Sequence, residues 1–210
     1  MRAFSVVKES TFNELQLEAG TLVKAFDPAN PEITDEAIIC ATTGGITPTC
    51  TATYSDYGED VDNCPNNMLE FKKLDGWECS LAFTALNVTA DMIKLALGAA
   101  DVDDTVEGVS KIVPRSDVKT TDFSDVWWIG DLSDGRVAAI RLMNALSTGG
   151  FSLKTTKNGK GQLSVTLTGH YSLGAQKTVP MEFYIADVPA DSSDPDGQSN
   201  TYPDDDEEGV

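Results

Sequence analysis

The chain is poor in positive charge. It has 15 Lys and Arg against 34 Asp and Glu, which gives a formal net charge of −19 at pH 7. Residues 187–210 hold nine of the acids and no base, yet residues 1–186 are still acidic, with 25 acids and 15 bases. A nucleic-acid-binding protein neutralises phosphates with a basic surface. This composition therefore excludes a typical DNA- or RNA-binding protein.

Long apolar runs are also lacking. Residues 1–15 contain no apolar stretch long enough for the central region of a signal peptide. No segment approaches the roughly 20 apolar residues of a membrane-spanning helix. We therefore expect a soluble protein that is made in a cytoplasm and has no membrane partner.

The cysteines and the histidine do not form a metal-binding pattern. Cys40, Cys50, Cys64 and Cys79 include no Cys-x-x-Cys pair, and His170 is the only histidine. Zinc ligands usually lie two to four residues apart, so we expect no metal and predict buried free thiols. Two disulfides are the alternative, which a cytoplasmic origin disfavours.

Catalytic motifs are absent as well. The sequence contains no Walker loop, no Gly-x-Gly-x-x-Gly and no Gly-x-Ser-x-Gly. The single histidine has no evident acidic partner, and the paired carboxylates stand in stretches typical of solvated loops. We therefore predict no enzymatic activity and no cofactor.

The clearest pattern that is present is a β-hairpin over residues 149–171. Its turn contains Asn158-Gly159, which tolerates the positive φ angles of a tight turn. An apolar set alternates with a set that is polar, small and nearly uncharged, so the two sets lie on opposite faces of a strand. The apolar set is Leu163, Val165, Leu167 and Tyr171, and the polar set is Gln162, Ser164, Thr166, Thr168 and His170.

The same alternation predicts strands over residues 42–54 and 76–84, with the core-facing residues Ile46, Cys50, Ala52, Tyr54, Trp77, Cys79, Leu81 and Phe83. Their outward faces again carry small hydroxyl side chains: Thr47, Thr49, Thr51, Thr53, Ser80 and Thr84. Further strands are predicted at residues 21–26, 126–129, 136–142 and 179–185, the last with Val179, Met181, Phe183 and Ile185 inward. One helix is predicted, from a Thr89 N-cap to Gly98, and residues 99–125 are predicted to be mostly loop.

A long acidic segment interrupts this pattern at residues 55–69. Its carboxylates suggest a calcium site, but their spacing misses the EF-hand loop, and a solvated or subunit-contacting loop is the favoured interpretation. Long loops in compact domains often have a function, so we take the loop as a candidate contact with a neighbouring copy. The candidate residues are Asp56, Tyr57, Glu59, Asp60, Asp62 and Asn63.

Adjacent tryptophans at positions 127 and 128 point to opposite faces if they lie in a strand. One is then in the core, and the other needs a second partner surface. A subunit contact is the favoured partner for that ring, and a local loop is the alternative.

Several stretches together resemble one protein family. They are residues 42–46, 55–63, 74–79, 95–101, 126–131 and 144–169, the last including Thr155-Thr156-Lys157-Asn158-Gly159-Lys160-Gly161. In their order and spacing they resemble the major tail (tail tube) proteins of long, non-contractile-tailed phages of Gram-positive bacteria. The resemblance covers about residues 1–186.

The resemblance implies a mainly β fold, a two-sheet β-sandwich or barrel with one flanking α-helix. It implies that six copies form a ring and that rings stack into a hollow tube through which viral DNA passes without specific binding. The partners it implies are further copies of the chain, the tape measure protein, the tail terminator and the distal tail protein. The location implied is the virion tail, after assembly in the host cytoplasm.

In this interpretation residues 1–186 form the tube domain with an N-terminal arm, and residues 187–210 form a flexible acidic tail on the tube exterior. The loop at residues 55–75 is the hypothetical contact between rings. The candidate lumen or ring-interface residues are Thr47, Thr49, Thr51, Thr53, Ser80, Thr84, Ser164, Thr166 and Thr168.

Three functions stay open from the sequence. Besides a tail tube subunit, the chain could be another virion component, either a head-tail joining protein or a decoration protein. A carbohydrate-binding β-sandwich is the third possibility, but it needs a cluster of exposed aromatic side chains that the polar faces lack.

Overall fold

A computed structural model describes residues 8–187 of the protein. The expectations for an N-terminal arm and for the acidic segment after residue 187 concern residues that lie wholly or partly outside this range. The strands are β1 (Gln16–Val23), β2 (Ile38–Cys40), β3 (Thr42–Asp56), β4 (Lys72–Ala85), β5 (Ala100–Val106), β6 (Val109–Pro114), β7 (Ser124–Leu132), β8 (Val137–Ser147), β9 (Ser152–Lys154), β10 (Gln162–Thr168) and β11 (Met181–Ala186). The α-helix is α1 (Ala90–Leu97), and short 3-10 turns occur at Glu9–Asn13, Asp35–Ala37, Leu69–Phe71, Thr120–Asp122 and Leu173–Ala175.

Nine of the strands form two antiparallel layers that are joined through β8. Sheet A has the order β2-β1-β7-β8-β11, and sheet B has the order β9-β10-β4-β3. β8 belongs to sheet A through residues 137–145 and reaches β10 of sheet B through Leu146 and Ser147. The predicted mainly β fold with one flanking helix is confirmed.

The main core lies between the two sheets. Period-two alternation in β4 and β10 buries Cys79, Leu81 and Phe83 as predicted, together with the apolar residues of β10. Across from them, sheet A contributes Leu22 and Trp128 to the same apolar cluster. The apolar side chains of both sheets face inward. The residues that alternate with them in β4 and β10 therefore lie on the outer face of sheet B.

The helix begins and ends where the sequence predicts. The Thr89 hydroxyl accepts a hydrogen bond from the Met92 N–H at 3.3 Å, and Gly98 ends the helix at φ 74°. Met92 and Ala96 are buried against the core, and α1 also packs on β5, β6 and β8. Contact with several elements explains its broad apolar stripe.

The two tryptophans of β7 do lie on opposite faces of sheet A. Trp128 joins the main core, where its indole N–H donates to the Ala19 carbonyl at 3.0 Å. Trp127 lies in a second apolar cluster, covered by Phe26 and Tyr184, and is only 7% exposed. The favoured interpretation of this ring as a subunit contact is therefore wrong, because its own chain covers it.

Residues 99–125 are not mostly loop. β5 and β6 form a separate two-stranded antiparallel hairpin whose turn contains Gly108 at φ 76°. The hairpin is tied to the segment that follows by Arg115, which pairs with Asp101 at 3.0 Å and with Asp122 at 2.5 Å. Acidic residues at alternate positions of β5 concealed the strand in the sequence.

Several residues predicted to face inward are exposed. In β11, Phe183 is aligned with Ile140 of β8, which is in turn aligned with Trp128 of β7, so Phe183 lies on the face of sheet A that bears the main core. Phe183 is nevertheless 64% exposed, and Ile185 is 61% exposed. Their face was predicted correctly and their burial was not, because sheet B does not extend over β11. Tyr54 follows an irregularity in β3, and Tyr171 follows the end of β10; both are also exposed.

Candidate assembly surface

All nine predicted hydroxyl residues lie on one face of sheet B. Cross-strand pairing aligns Thr49 with Ser80 and Thr168, and Thr84 with Ser164. The remaining members fall in the neighbouring rows, and we call the whole set the hydroxyl face: Thr47, Thr49, Thr51, Thr53, Ser80, Thr84, Ser164, Thr166 and Thr168.

The hydroxyl face is small, polar and almost uncharged. None of its nine members is buried, and Glu78 is the one acid aligned with it in these strands. Thr168 is held by a hydrogen bond of 2.7 Å between its hydroxyl and that of Thr148. Seven of the nine are threonines, whose short β-branched side chains have restricted χ1 angles, and the other two are serines, which are equally short. Whether this surface lines a lumen stays a prediction.

One margin of this sheet is an unpaired edge. β3 is 15 residues long and is the last strand in the order of the described sheet. Its sequence from Thr42 to Ser55 contains no charged residue, although Pro48 removes one backbone donor. Edge strands of this length are normally protected by charges or a covering element, because they otherwise pair with another chain.

The predicted contact loop is shorter than residues 55–75. β3 continues to Asp56, and β4 begins at Lys72. The connection between them is therefore residues 57–71, here called the acidic tip. Of the predicted contact residues, Tyr57, Glu59, Asp60, Asp62 and Asn63 lie in the acidic tip and are exposed, whereas Asp56 is the last residue of β3.

Asp56 organises the acidic tip. Its carboxylate accepts hydrogen bonds from the backbone N–H of Gly58 at 3.0 Å and of Asn67 at 2.9 Å, and it pairs with the Lys72 ammonium at 3.3 Å. The Gly58 bond, the Asn67 bond and this cation favour the charged form and lower the pKa of Asp56 below its ordinary value. The tip is therefore folded on itself, with Leu69 85% and Tyr57 61% exposed on its outside.

A basic turn lies at the other end of sheet B, and the sequence alone predicts no more than a solubilising role for its lysines. Residues 154–161, the last residue of β9 and the connection to β10, carry exposed Lys154, Lys157 and Lys160 and no acid. A signal was available: residues 135–181 contain no Asp or Glu, although the chain as a whole is strongly acidic.

A set of exposed apolar residues on one side of the sandwich was also missed as a surface. β9 and β11 both flank the junction of β8 and β10, away from β2 and β3. This apolar margin consists of Phe151, Leu153, Phe183 and Ile185.

Within residues 8–187, no three His, Cys, Asp or Glu side chains come together in a way that could hold a metal ion. The His170 ring lies 3.2 Å from the Asn144 carbonyl oxygen and packs edge-on against Phe123. Among the described helices, none is long and apolar enough to cross a bilayer.

Comparisons with known proteins give little further information. No family model and no curated protein matches the sequence. A chain from a solved structure entitled "Virion of native gene transfer agent (GTA) particle" overlaps 79% of this chain and 95% of its own length. The TM-score is 0.39 and the sequence identity 9%, and an overlap of this quality carries no conclusion about what this chain does.

Proposed function

We propose that the protein is a non-enzymatic structural component of a virion, namely the subunit of a tail tube. In this proposal six copies join side by side into a ring, and rings stack into a hollow tube that conducts viral DNA. The observation that carries the proposal is the hydroxyl face on a sheet whose outermost strand, β3, pairs with β4 on one side and has no partner strand on the other within residues 8–187.

The chemistry of the hydroxyl face suits a conducting wall. Thr49, Thr51 and their neighbours offer short hydroxyl groups and no cation, so a passing phosphate finds no ion-pair partner on this face. The net charge of −19 repels DNA at longer range. DNA in such a bore is confined without being bound.

The edges of the sheets suit side-by-side assembly. β3 and β2 end the sheets on one side of the sandwich, and β9 and β11 end them on the other. Pairing between opposite sides of successive copies is a heterologous contact, which closes into a ring when the rotation per copy divides a full turn. A closed ring leaves no exposed strand edge.

The apolar margin supports the same contact. Phe183 and Ile185 lie on the core side of sheet A but remain 64% and 61% exposed. A neighbouring copy that covers them would extend the core across the joint. Exposed apolar groups of this kind commonly mark protein–protein contacts.

The resemblance supplies the remaining partners. These are the tape measure protein, the tail terminator and the distal tail protein, with a location in the virion tail. A head-tail joining or decoration protein is the second candidate and would not polymerise. A carbohydrate-binding role is disfavoured because the hydroxyl face carries no aromatic side chain.

Sedimentation velocity over a wide concentration range tests the proposal. Wild-type protein is expected to show a six-copy species and larger multiples of it. The variant Phe183→Asp/Ile185→Asp is expected to stay folded and monomeric, because it places charge on the apolar margin. The control Val106→Asp/Val109→Asp makes the same change on exposed residues of the β5–β6 hairpin and should assemble normally. Wild-type protein that is monomeric at every concentration contradicts the proposal.

A further inference from the structure

The two ends of sheet B carry opposite charge. The acidic tip, residues 57–71, has four acids and no Lys or Arg. The basic turn, residues 154–161, has three lysines and no acid. In a chain with 34 acids and 15 bases, a segment with several lysines and no acid is unusual.

The strand pairing places these segments at opposite ends of the sheet. Asp56, the residue before the acidic tip, is aligned with Lys72 at one end of the β3–β4 pair. At the other end Ala85 is aligned with both Thr42 and Leu163, the second residue of β10 after the basic turn. Because β3 has 15 residues, the two segments are about 45 Å apart along the strands.

Both charged groups are free to meet a partner. The acids of the tip, Glu59, Asp60, Asp62 and Glu70, are exposed and form no ion pair within residues 8–187. The lysines of the basic turn, Lys154, Lys157 and Lys160, are likewise exposed and unpaired in the same part of the chain.

The tip is also built to hold its shape. Asp56 fixes its backbone through Gly58 and Asn67, and a Cβ at position 58 would lie 3.1 Å from the Phe71 ring. A preordered tip loses less conformational entropy on binding than a loop without such contacts.

We propose that the acidic tip of one copy docks on the basic turn of a second copy in the next ring, so that this charge pairing joins ring to ring. The inference rests on the proposed tube and names the two surfaces that stack it. A contact between opposite ends of the same long axis is heterologous and does not close on itself, so it repeats along a tube. Paired charges also fix the direction of stacking, because tip meets tip and turn meets turn only with repulsion.

Charge reversal in the full-length chain tests the contact. One variant carries Glu59→Lys, Asp60→Lys and Asp62→Lys, and the other carries Lys154→Glu, Lys157→Glu and Lys160→Glu. Each variant alone is expected to form rings but to stack them poorly. The protein concentration needed for stacking should rise by about tenfold or more. The chain with all six changes is expected to stack again. The matched control Lys24→Glu/Lys94→Glu/Lys111→Glu changes the net charge equally at exposed lysines away from the basic turn and should stack like wild type.

The possible outcomes separate the contact from the tube itself. Wild-type tubes whose length is unchanged by either reversal overturn the contact and leave the tube standing. The same holds if the lysine variant loses only an affinity for added duplex DNA, since the turn would then be a phosphate site. Wild-type protein that forms neither rings nor tubes overturns the proposed function, and this contact with it.

Discussion

Thr49 of β3 and Ser80 of β4 lie directly opposite each other, and both project from the hydroxyl face of sheet B. Thr168 of β10 continues the same row on the far side of Ser80. Because this row crosses three strands without a charge, the face is chemically uniform across the sheet. Predictions about the tube wall can therefore be tested by substituting a few residues of the hydroxyl face.

Lysines introduced on the hydroxyl face are expected to make the wall bind DNA. Thr49→Lys/Thr51→Lys changes two exposed side chains, so the free energy of unfolding should shift by only about 0.5 kcal/mol per site. Tubes of this variant should bind a short labelled duplex in a fluorescence anisotropy assay, with an affinity that falls as salt rises. Wild-type tubes should not.

The control for this experiment is Thr49→Asn/Thr51→Asn, which keeps the wall polar and uncharged. Lysine-bearing tubes that bind the duplex no better than the asparagine control would contradict the role of the face as a phosphate-avoiding wall.

Trp127 is expected to stabilise the monomer and not the joint between copies. Phe26 and Tyr184 cover its ring, and the Arg141 guanidinium lies 5.5 Å from the ring centre. Trp127→Ala should therefore lower the free energy of unfolding by about 3–5 kcal/mol, measured by denaturant titration at low protein concentration. Phe183→Ala is the comparison, because that ring is mostly exposed in the monomer. Equal losses from the two substitutions would show that the assignment of these rings is wrong.

Acid should loosen the acidic tip. The hydrogen bond from the Gly58 N–H, followed by that from Asn67 and by Lys72, lowers the pKa of Asp56 in the folded state. Its stabilising contribution is therefore fully present above the unfolded pKa of about 3.9 and is lost as pH falls through the lower folded pKa. The protection of the backbone amides of residues 57–71 against hydrogen exchange, measured relative to the intrinsic exchange rate at each pH, should fall over that interval. The isosteric Asp56→Asn variant should show fast exchange already at neutral pH, and slow exchange in it would argue against this role.

The core cysteines should resist alkylation in the native state. Burial raises the pKa of Cys40 to about 11, and burial together with a hydrogen bond to Cys50 raises that of Cys79 to about 12. All four cysteines are free thiols, and the Cys50 and Cys79 sulfurs lie 2.8 Å apart. Because the thiolate is the reactive form, iodoacetamide at pH 8 should modify Cys40 and Cys79 only after unfolding. Half-exposed Cys64 serves as the internal reference in a mass-spectrometric assay, and labelling of Cys79 at the Cys64 rate would contradict this account.

Local signals in the sequence were enough for much of the fold. The alternation in β4 and β10 reports which face is apolar, and the Thr89 cap and Gly98 mark the helix ends through their own backbone chemistry. The hydroxyl face follows from the same alternation. A shift of two residues in strand register leaves every side chain on the same face of the sheet, so the outward residues of neighbouring strands share one face even when the exact register is unknown.

Properties that depend on distant parts of the chain could not be predicted. Alternation places Phe183 on the core side of β11, but only the extent of the opposing sheet decides whether anything covers it. The same is true of Trp127, whose cover comes from Phe26 and Tyr184, residues 101 and 57 positions away along the chain. The opposite placement of the acidic tip and the basic turn required the strand order, because the two segments are far apart in the sequence.

Negative-stain electron microscopy of the purified wild-type protein at high concentration tests the central claim most directly. The account predicts hollow six-fold rings with a stain-filled centre, together with stacks of such rings. Fields that contain only single compact particles at every concentration, or solid aggregates without a bore, would contradict it.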